Sequence, residues 1–348
     1  MMERKTKPGQ VLEQETVFVE NPLLTVDFSA FTDPPPAGME PILEKYQQEH
    51  PASPRQPARK GSFERLDYQT AVYEDGVTYD KYCNVYLPAG YDPADKSRKY
   101  NVVYFEHGNT GDPEEFKPEH LKKLLDLLFE QEGVESCILV FTTYYFDVTR
   151  DVAERKNTGN VPAGDGNWKG VKANYYREIT EDLIPLVESR YNTYLGSADP
   201  ESVKRARKHR AFSGYSRGCV CTFTMFHDAF EYFRYFIPMS GFTTAGRNIY
   251  DFMEKPSPDE ELAAYLTAPI RAHPELPFYL YAFNGGAETD IPQMAGLIRL
   301  LCQQKEFSFG KGPRDNLYYC ESGYFHGDFF APQYFFNALP LFFGGEDK

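Results

Sequence analysis

The chain has 348 residues and a formal net charge of −14, with 41% hydrophobic residues. That apolar share is ample for one large buried core, whereas the excess of acid opposes the counterion release that nucleic-acid binding needs, so no nucleic-acid partner is expected. No apolar run reaches about 18 residues, so no membrane span is expected; MMERKTKPGQ lacks a secretion signal's apolar stretch, which with six sparse cysteines predicts a cytoplasmic protein.

Residues 1–60 form a Pro-rich N-terminal extension: DPPPAGMEPILEKYQQEHPASPRQPARKG (Asp33 to Gly61) carries Pro and charge without strand patterns, and reads as a linker or a wrapping arm. Residues 61–348 read as one α/β domain. Two strand-like runs, FERLDYQTAVYE and TYDKYCNVYLPA, flank the turn signal DGV and predict an antiparallel hairpin. YNVVYFEHG and CILVFTTYYF are short, β-branched and aromatic; between them Leu121, Leu124, Leu125 and Leu128 fall at helical spacing.

The alternation continues with the helix NYYREITEDLIPLVESRY, the strand RAFSGYS, a helix from Arg217, the strands YFIPMSG and FYLYAF, a helix from about Ile291, the strand NLYYCES and a closing helix from about Asp328. KRARKHR (Lys204 to Arg210) reads as a solvated loop leading into a strand. Repeated strand and helix units with near-continuous apolar strands predict a mostly parallel central sheet flanked by helices, with the antiparallel hairpin at its start. In such sheets the site lies at the carboxyl ends of the strands.

GYSRG (Gly214 to Gly218) stands between a strand and a helix, the setting a G-x-S-x-G nucleophile elbow requires. Its glycines remove side chains that would collide in a tight turn, and the helix start turns backbone N–H groups toward Ser216. A serine nucleophile needs a base, and the base needs an orienting acid. Of seven histidines, His326 follows a late strand; His227 and His209 are expected to satisfy local structure, and His107 to hold its loop. A nucleophile elbow of this kind orders its triad as serine, acid, histidine, which places the acid in YAFNGGAETDIPQM, where Asp290 is preferred and Glu288 stays open. Oxyanion donors are expected from the backbone of Arg217 and from the Gly108–Asn109 turn of HGNTGD. Cys219 and Cys221, two apart on a helix, face nearly opposite sides, so no metal is expected there.

Taken together, YFEHGNTGD, NYYREITEDLIPLVESRY, HRAFSGYSRG, YFIPMSG, FNGGAETD and GYFHGDFFAPQYFFNALPLFF resemble the putative-esterase branch of the α/β hydrolases, specifically the feruloyl esterases of carbohydrate esterase family one. The resemblance runs from about Ser62 to Phe343. It implies an α/β-hydrolase fold and hydrolysis of hydroxycinnamate esters of plant arabinoxylan with no cofactor. On matching positions it implies Ser216 as nucleophile, His326 as base, Asp290 as acid, and Asn109 and Arg217 as oxyanion donors. Where relatives often carry Met after the serine this chain has Arg217, expected in a structural ion pair. Where relatives carry a run of glycines after the HG pair, Asn109 and Thr110 stand instead, which leaves the second donor open.

Two insert-like stretches, Asp147 to Ala173 and Phe242 to Pro277, are expected over the strand ends. The first holds Trp168, the single tryptophan, which either stacks on an acyl group or sugar face or anchors its own loop. Acetyl xylan, siderophore and short acyl esters belong to the same chemistry, because fold and triad do not set the pocket. An inactive binding module on the same scaffold is the reading from another class. The partner expected is a small-molecule or oligosaccharide ester.

Overall fold

A computed structural model describes residues 56–109, 111–117, 119–130, 134–145, 174–247, 252, 254–285, 293–310, 315–322, 326, 334–335, 338–339 and 342–343. Strands β1 (Ser62–Thr70) and β2 (Tyr79–Leu87) pair antiparallel, from Ser62 opposite Leu87 to Thr70 opposite Tyr79. Gly76, at φ +78°, lies in the connection between them, in a backbone region that favours glycine. Then come β3 (Val102–Glu106), α1 (Glu119–Leu128), β4 (Ile138–Thr142) and a long helix, α2, over residues 174–190. Next are α3 (Pro200–Arg205), β5 (Arg210–Tyr215), α4 (Arg217–Asp228), β6 (Tyr235–Met239), α5 (Asp259–Ala272), β7 (Tyr279–Gly285), α6 (Gln293–Leu301) and β8 (Leu317–Ser322).

The eight strands form one sheet in the order β1-β2-β4-β3-β5-β6-β7-β8. β2 pairs antiparallel with both β1 and β4, and every pairing beyond β4 is parallel. Parallel neighbours need long crossovers, which is why helices alternate with strands and cover both faces. The central strands divide their side chains between those faces. Val102, Tyr104, Ile138, Val140, Leu280 and Ala282 join one buried cluster, with Ile179 and Leu183 of α2, Phe226 of α4 and Leu266 of α5. Val103, Phe105, Leu139, Phe141, Tyr281 and Phe283 join another, with Leu125 and Leu128 of α1 and with Phe335 and Leu339. A strand buried on both sides gains from apolar residues at every position, so these strands read as unbroken apolar runs. The whole is the mostly parallel sheet with an antiparallel start that the residue patterns predict, and the α/β-hydrolase sheet that the resemblance implies.

Two expectations are corrected. KRARKHR is not a solvated loop: its first two residues end α3, and Ala206–His209 continue as a 3-10 turn with Arg207 and Arg210 buried. The carbonyls of Phe230, Phe233 and Pro277 require donors, which Arg207 supplies, and buried Glu188 requires a counter-charge, which Arg210 supplies. Of Phe242 to Pro277, residues Asp259–Ala272 are not an insert over the strand ends but the helix that carries the chain from β6 to the parallel β7. Asp147 to Ala173 lies outside the described residues, and so does most of the closing segment from Asp328.

Candidate active site

β5 ends at Tyr215 and α4 begins at Arg217, so the reversal from strand to helix falls on Ser216 alone, at φ 56° and ψ −111°. Such a conformation costs a non-glycine residue about 1–3 kcal/mol and persists only where surrounding structure imposes it. Here it is imposed from three sides. Ser216 N–H donates to the Met239 carbonyl at 2.9 Å, and the Ser216 carbonyl accepts from Cys219 N–H at 3.0 Å. A Cβ on Gly214 would stand 2.3 Å from the Gly218 carbonyl oxygen, and one on Gly218 would stand 2.1 Å from that of Glu106. A Cβ on Gly241 would come 2.9 Å from the Ser216 carbonyl oxygen. The glycines of the motif therefore let β3, β5, β6 and the start of α4 meet at one point.

His326 arrives at that point from the far end of the sequence. Its Nε2 lies 2.9 Å from Ser216 Oγ, and its ring centroid lies 5.0 Å from that of Tyr215. Asp290, Glu288 and Trp168 lie outside the described residues. The Gly108–Asn109 turn stands beside Ser216: a Cβ on Gly108 would come 3.6 Å from the Ser216 Cβ. Arg217 is buried, and its charge bears on His107, Tyr144 and Cys221. His209 shares a hydrogen bond with Asn101 and stacks on Tyr194, while His227 stacks on Tyr265, so both are engaged in local structure. Among the described residues no group of His, Cys, Asp and Glu is arranged to hold a metal ion.

Beneath the Gly108–Asn109 turn lies a buried polar cluster that the sequence does not announce. Glu106 ends β3 inside the protein, where its carboxylate accepts hydrogen bonds from Tyr175 and, at 2.8 Å, from Thr142. Burial pushes its carboxyl up to about 7, against the pull of those two donors. His107 is buried as well, and burial drives its imidazole down to about 3. It is therefore neutral, so its 3.4 Å approach to Glu106 is no ion pair. With Nδ1 2.6 Å from the Gly108 carbonyl oxygen, Nδ1 must carry the proton and donate it there, which leaves Nε2 to accept from the Thr143 hydroxyl at 2.8 Å.

An apolar cavity of about 250 Å³ follows Gly241, lined among others by Phe242, Phe252, Leu262, Leu297 and Leu300.

Residues 79–293 match the family described as "Putative esterase". The chain belongs to that family. It is 29% identical over 279 residues to endo-1,4-beta-xylanase Y of Acetivibrio thermocellus; the match covers 77% of the chain but only 22% of that relative's length. In fold it is similar to a serine-to-alanine mutant of the feruloyl esterase module from Clostridium thermocellum complexed with sinapinate, at a TM-score of 0.66 and 24% identity, covering 84% of this chain and 93% of that one. A CE1 ferulic acid esterase from Anaeromyces mucronatus, in complex with ferulic acid, matches at a TM-score of 0.56 and 16% identity over 84% and 94% of the two chains. S-formylglutathione hydrolase of Staphylococcus aureus matches at 0.54 and 12% identity over 83% and 98%. Likeness at these identities is a likeness of fold.

Proposed function

We propose that the chain is a serine carboxylic ester hydrolase that releases ferulate or related hydroxycinnamates from plant cell-wall esters. The observation that carries this reading is the hydroxyl of a conformationally constrained serine, at a helix start, 2.9 Å from an imidazole nitrogen 110 positions away. Ser216 Oγ attacks the ester carbonyl carbon while His326 Nε2 takes its proton. The negative charge moves to the carbonyl oxygen, where the backbone N–H groups of Arg217 and Asn109 receive it; losing one such donor typically costs about 10² to 10³ in rate. As the tetrahedral adduct collapses, the carbon–oxygen bond to the leaving alcohol breaks and the imidazolium gives that oxygen its proton. Water, deprotonated by His326, then attacks the acyl-enzyme, and the carboxylic acid leaves with Ser216 restored. Asp290, in preference to Glu288, is assigned to hold the imidazole.

The feruloyl assignment is supported by what the relatives are named for: a xylanase, and esterase structures holding sinapinate or ferulic acid. The apolar cavity lined by Phe242 and Phe252, close in sequence to Gly241 and below the usual size of ligand pockets, is proposed to take the aromatic ring of the acyl group. The test is a panel of methyl ferulate, methyl sinapinate and 4-nitrophenyl acetate, together with labelling by a serine-directed phosphonate. Wild-type protein is expected to prefer the hydroxycinnamates and to be labelled at Ser216, and Ser216→Ala is expected to lose both properties, with kcat down about 10⁴-fold or more. Preference for the acetate would move the substrate class to acetyl esters. Absence of hydrolysis and of label would leave a binding module.

A further inference from the structure

We infer that the buried ion pair of Lys81 and Glu178 positions the Gly108–Asn109 turn for catalysis, acting through Thr143 and His107. The inference rests on the serine esterase reading and assigns new roles to residues that do not touch the substrate.

Lys81 lies on β2 and Glu178 at the start of the π-helical turn Glu178–Leu183 within α2. The wider turn carries three consecutive residues, Glu178, Ile179 and Thr180, into the interior. π-Turns inside helices occur frequently at functional sites. The Lys81 and Glu178 side chains are 1% and 0% exposed, with Nζ 2.7 Å from Oε2. A buried ion pair gives little net stability over well-packed apolar residues, so a role in fixing geometry is the better account of its presence. Glu178 also accepts from the hydroxyls of Tyr68, at 2.5 Å, and Tyr73, so its charge is fully met.

From this pair the hydrogen bonds run in one direction. Lys81 Nζ donates to the Thr143 carbonyl at 2.7 Å. The Thr143 hydroxyl accepts from Tyr145 N–H at 3.1 Å, so its single hydrogen goes to His107 Nε2. His107 Nδ1–H in turn donates to the Gly108 carbonyl, which also accepts from the Tyr144 hydroxyl at 3.1 Å. The Asn109 carbonyl is held by the Tyr145 hydroxyl. In a planar trans peptide the carbonyl of one residue and the N–H of the next point opposite ways. Anchoring the Gly108 carbonyl to this interior network therefore fixes the direction of the Asn109 N–H, the group assigned to the oxyanion. Misplacement by about 1 Å far from the chemistry can cost 10²-fold in rate.

The experiment compares wild type with Lys81→Met, Thr143→Val and Thr143→Ser. Its readouts are kcat and KM on the best ester of the panel, affinity for phenylboronic acid, whose tetrahedral serine adduct puts an oxygen where the oxyanion forms, and affinity for ferulate. Lys81→Met and Thr143→Val are expected to lower kcat about ten- to a hundredfold with KM within twofold. Phenylboronic acid should bind more weakly by a similar factor and ferulate as before, and Thr143→Ser, which keeps the hydroxyl, should restore wild-type values. Thr143→Val that folds cooperatively and keeps kcat within twofold overturns the inference, whatever Lys81→Met does to stability. If wild-type protein hydrolyses no ester and takes no phosphonate label, the esterase reading itself fails.

Discussion

Glu106 and His107 are adjacent, equally buried, and displaced in opposite directions by one cause: burial removes the water that stabilises a charge, so the carboxyl rises to about 7 and the imidazole falls to about 3. Their effects on stability carry opposite signs. Between the unfolded carboxyl value near 4.5 and about 7, folded Glu106 holds a proton that the unfolded chain has released, so stability falls as pH rises through that window. Between about 3 and 6.5 the unfolded chain holds a proton that folded His107 lacks, so this contribution to stability rises with pH. Glu106→Gln keeps the shape and removes the ionisable carboxyl. The variant is expected to gain on wild type between pH 5 and pH 8 by an amount on the order of 3 kcal/mol, read as the pH dependence of urea unfolding midpoints for the two proteins. A difference that stays constant across that range would contradict a proton on Glu106. Ser216 belongs to the same scale: its motif was visible in the sequence because close packing of backbone demands glycine at fixed offsets. Neither Glu106 nor Lys81 was visible, because a charged residue in a strand looks alike whether it faces solvent or interior.

At the scale of elements, the basic run is the instructive case. Four of the seven residues Lys204 to Arg210 are exposed or half-buried, which matches a surface reading, yet Arg210 is fully buried at the first position of β5. Its guanidinium pairs with both carboxylate oxygens of Glu188 on α2 and donates to the carbonyls of Val203, at 2.7 Å, and Tyr232, at 2.9 Å. One side chain thus ties together α2, α3, β5 and the turn that follows α4. Lysine has the charge but not the planar fork, and would leave buried acceptors unmet. Arg210→Lys is expected to cost about 3 kcal/mol of stability, measured as a lower urea midpoint at unchanged slope, with kcat little altered because this end of β5 lies opposite Ser216. Helix α5 is another instance. Its residues, DEELAAYLTAPIRA, contain Pro269 and several alanines, so the apolar stripe is thin and its helical period is weak in the sequence. The parallel pairing of β6 with β7 makes a crossover there obligatory.

For the molecule as a whole, the described core clusters draw on residues from Phe63 onward, and the sheet begins at Ser62. We propose, from the change of composition at Gly61, that residues 61–348 form the folding and catalytic unit. Protein beginning at residue 56 is expected to match the full chain in kcat/KM and in unfolding midpoint; a clear loss in either would assign residues 1–55 a part in the fold or the site. What the sequence determined by itself was local: the order of the strands, the helices α1, α2, α4 and α6 between them, the hairpin at the start, the serine turn, and the choice of His326 by its place after a late strand. These depend on periodicity, turn chemistry and spacing along the chain, which a single sequence carries. Tertiary structure alone decided that the His326 ring meets the Ser216 hydroxyl, that Arg210 and Lys81 turn inward, and that the Gly108 carbonyl is tied to the protein interior. Each of these is a contact between segments distant in sequence, and burial, which sets its strength, exists only once the sheet has brought them together.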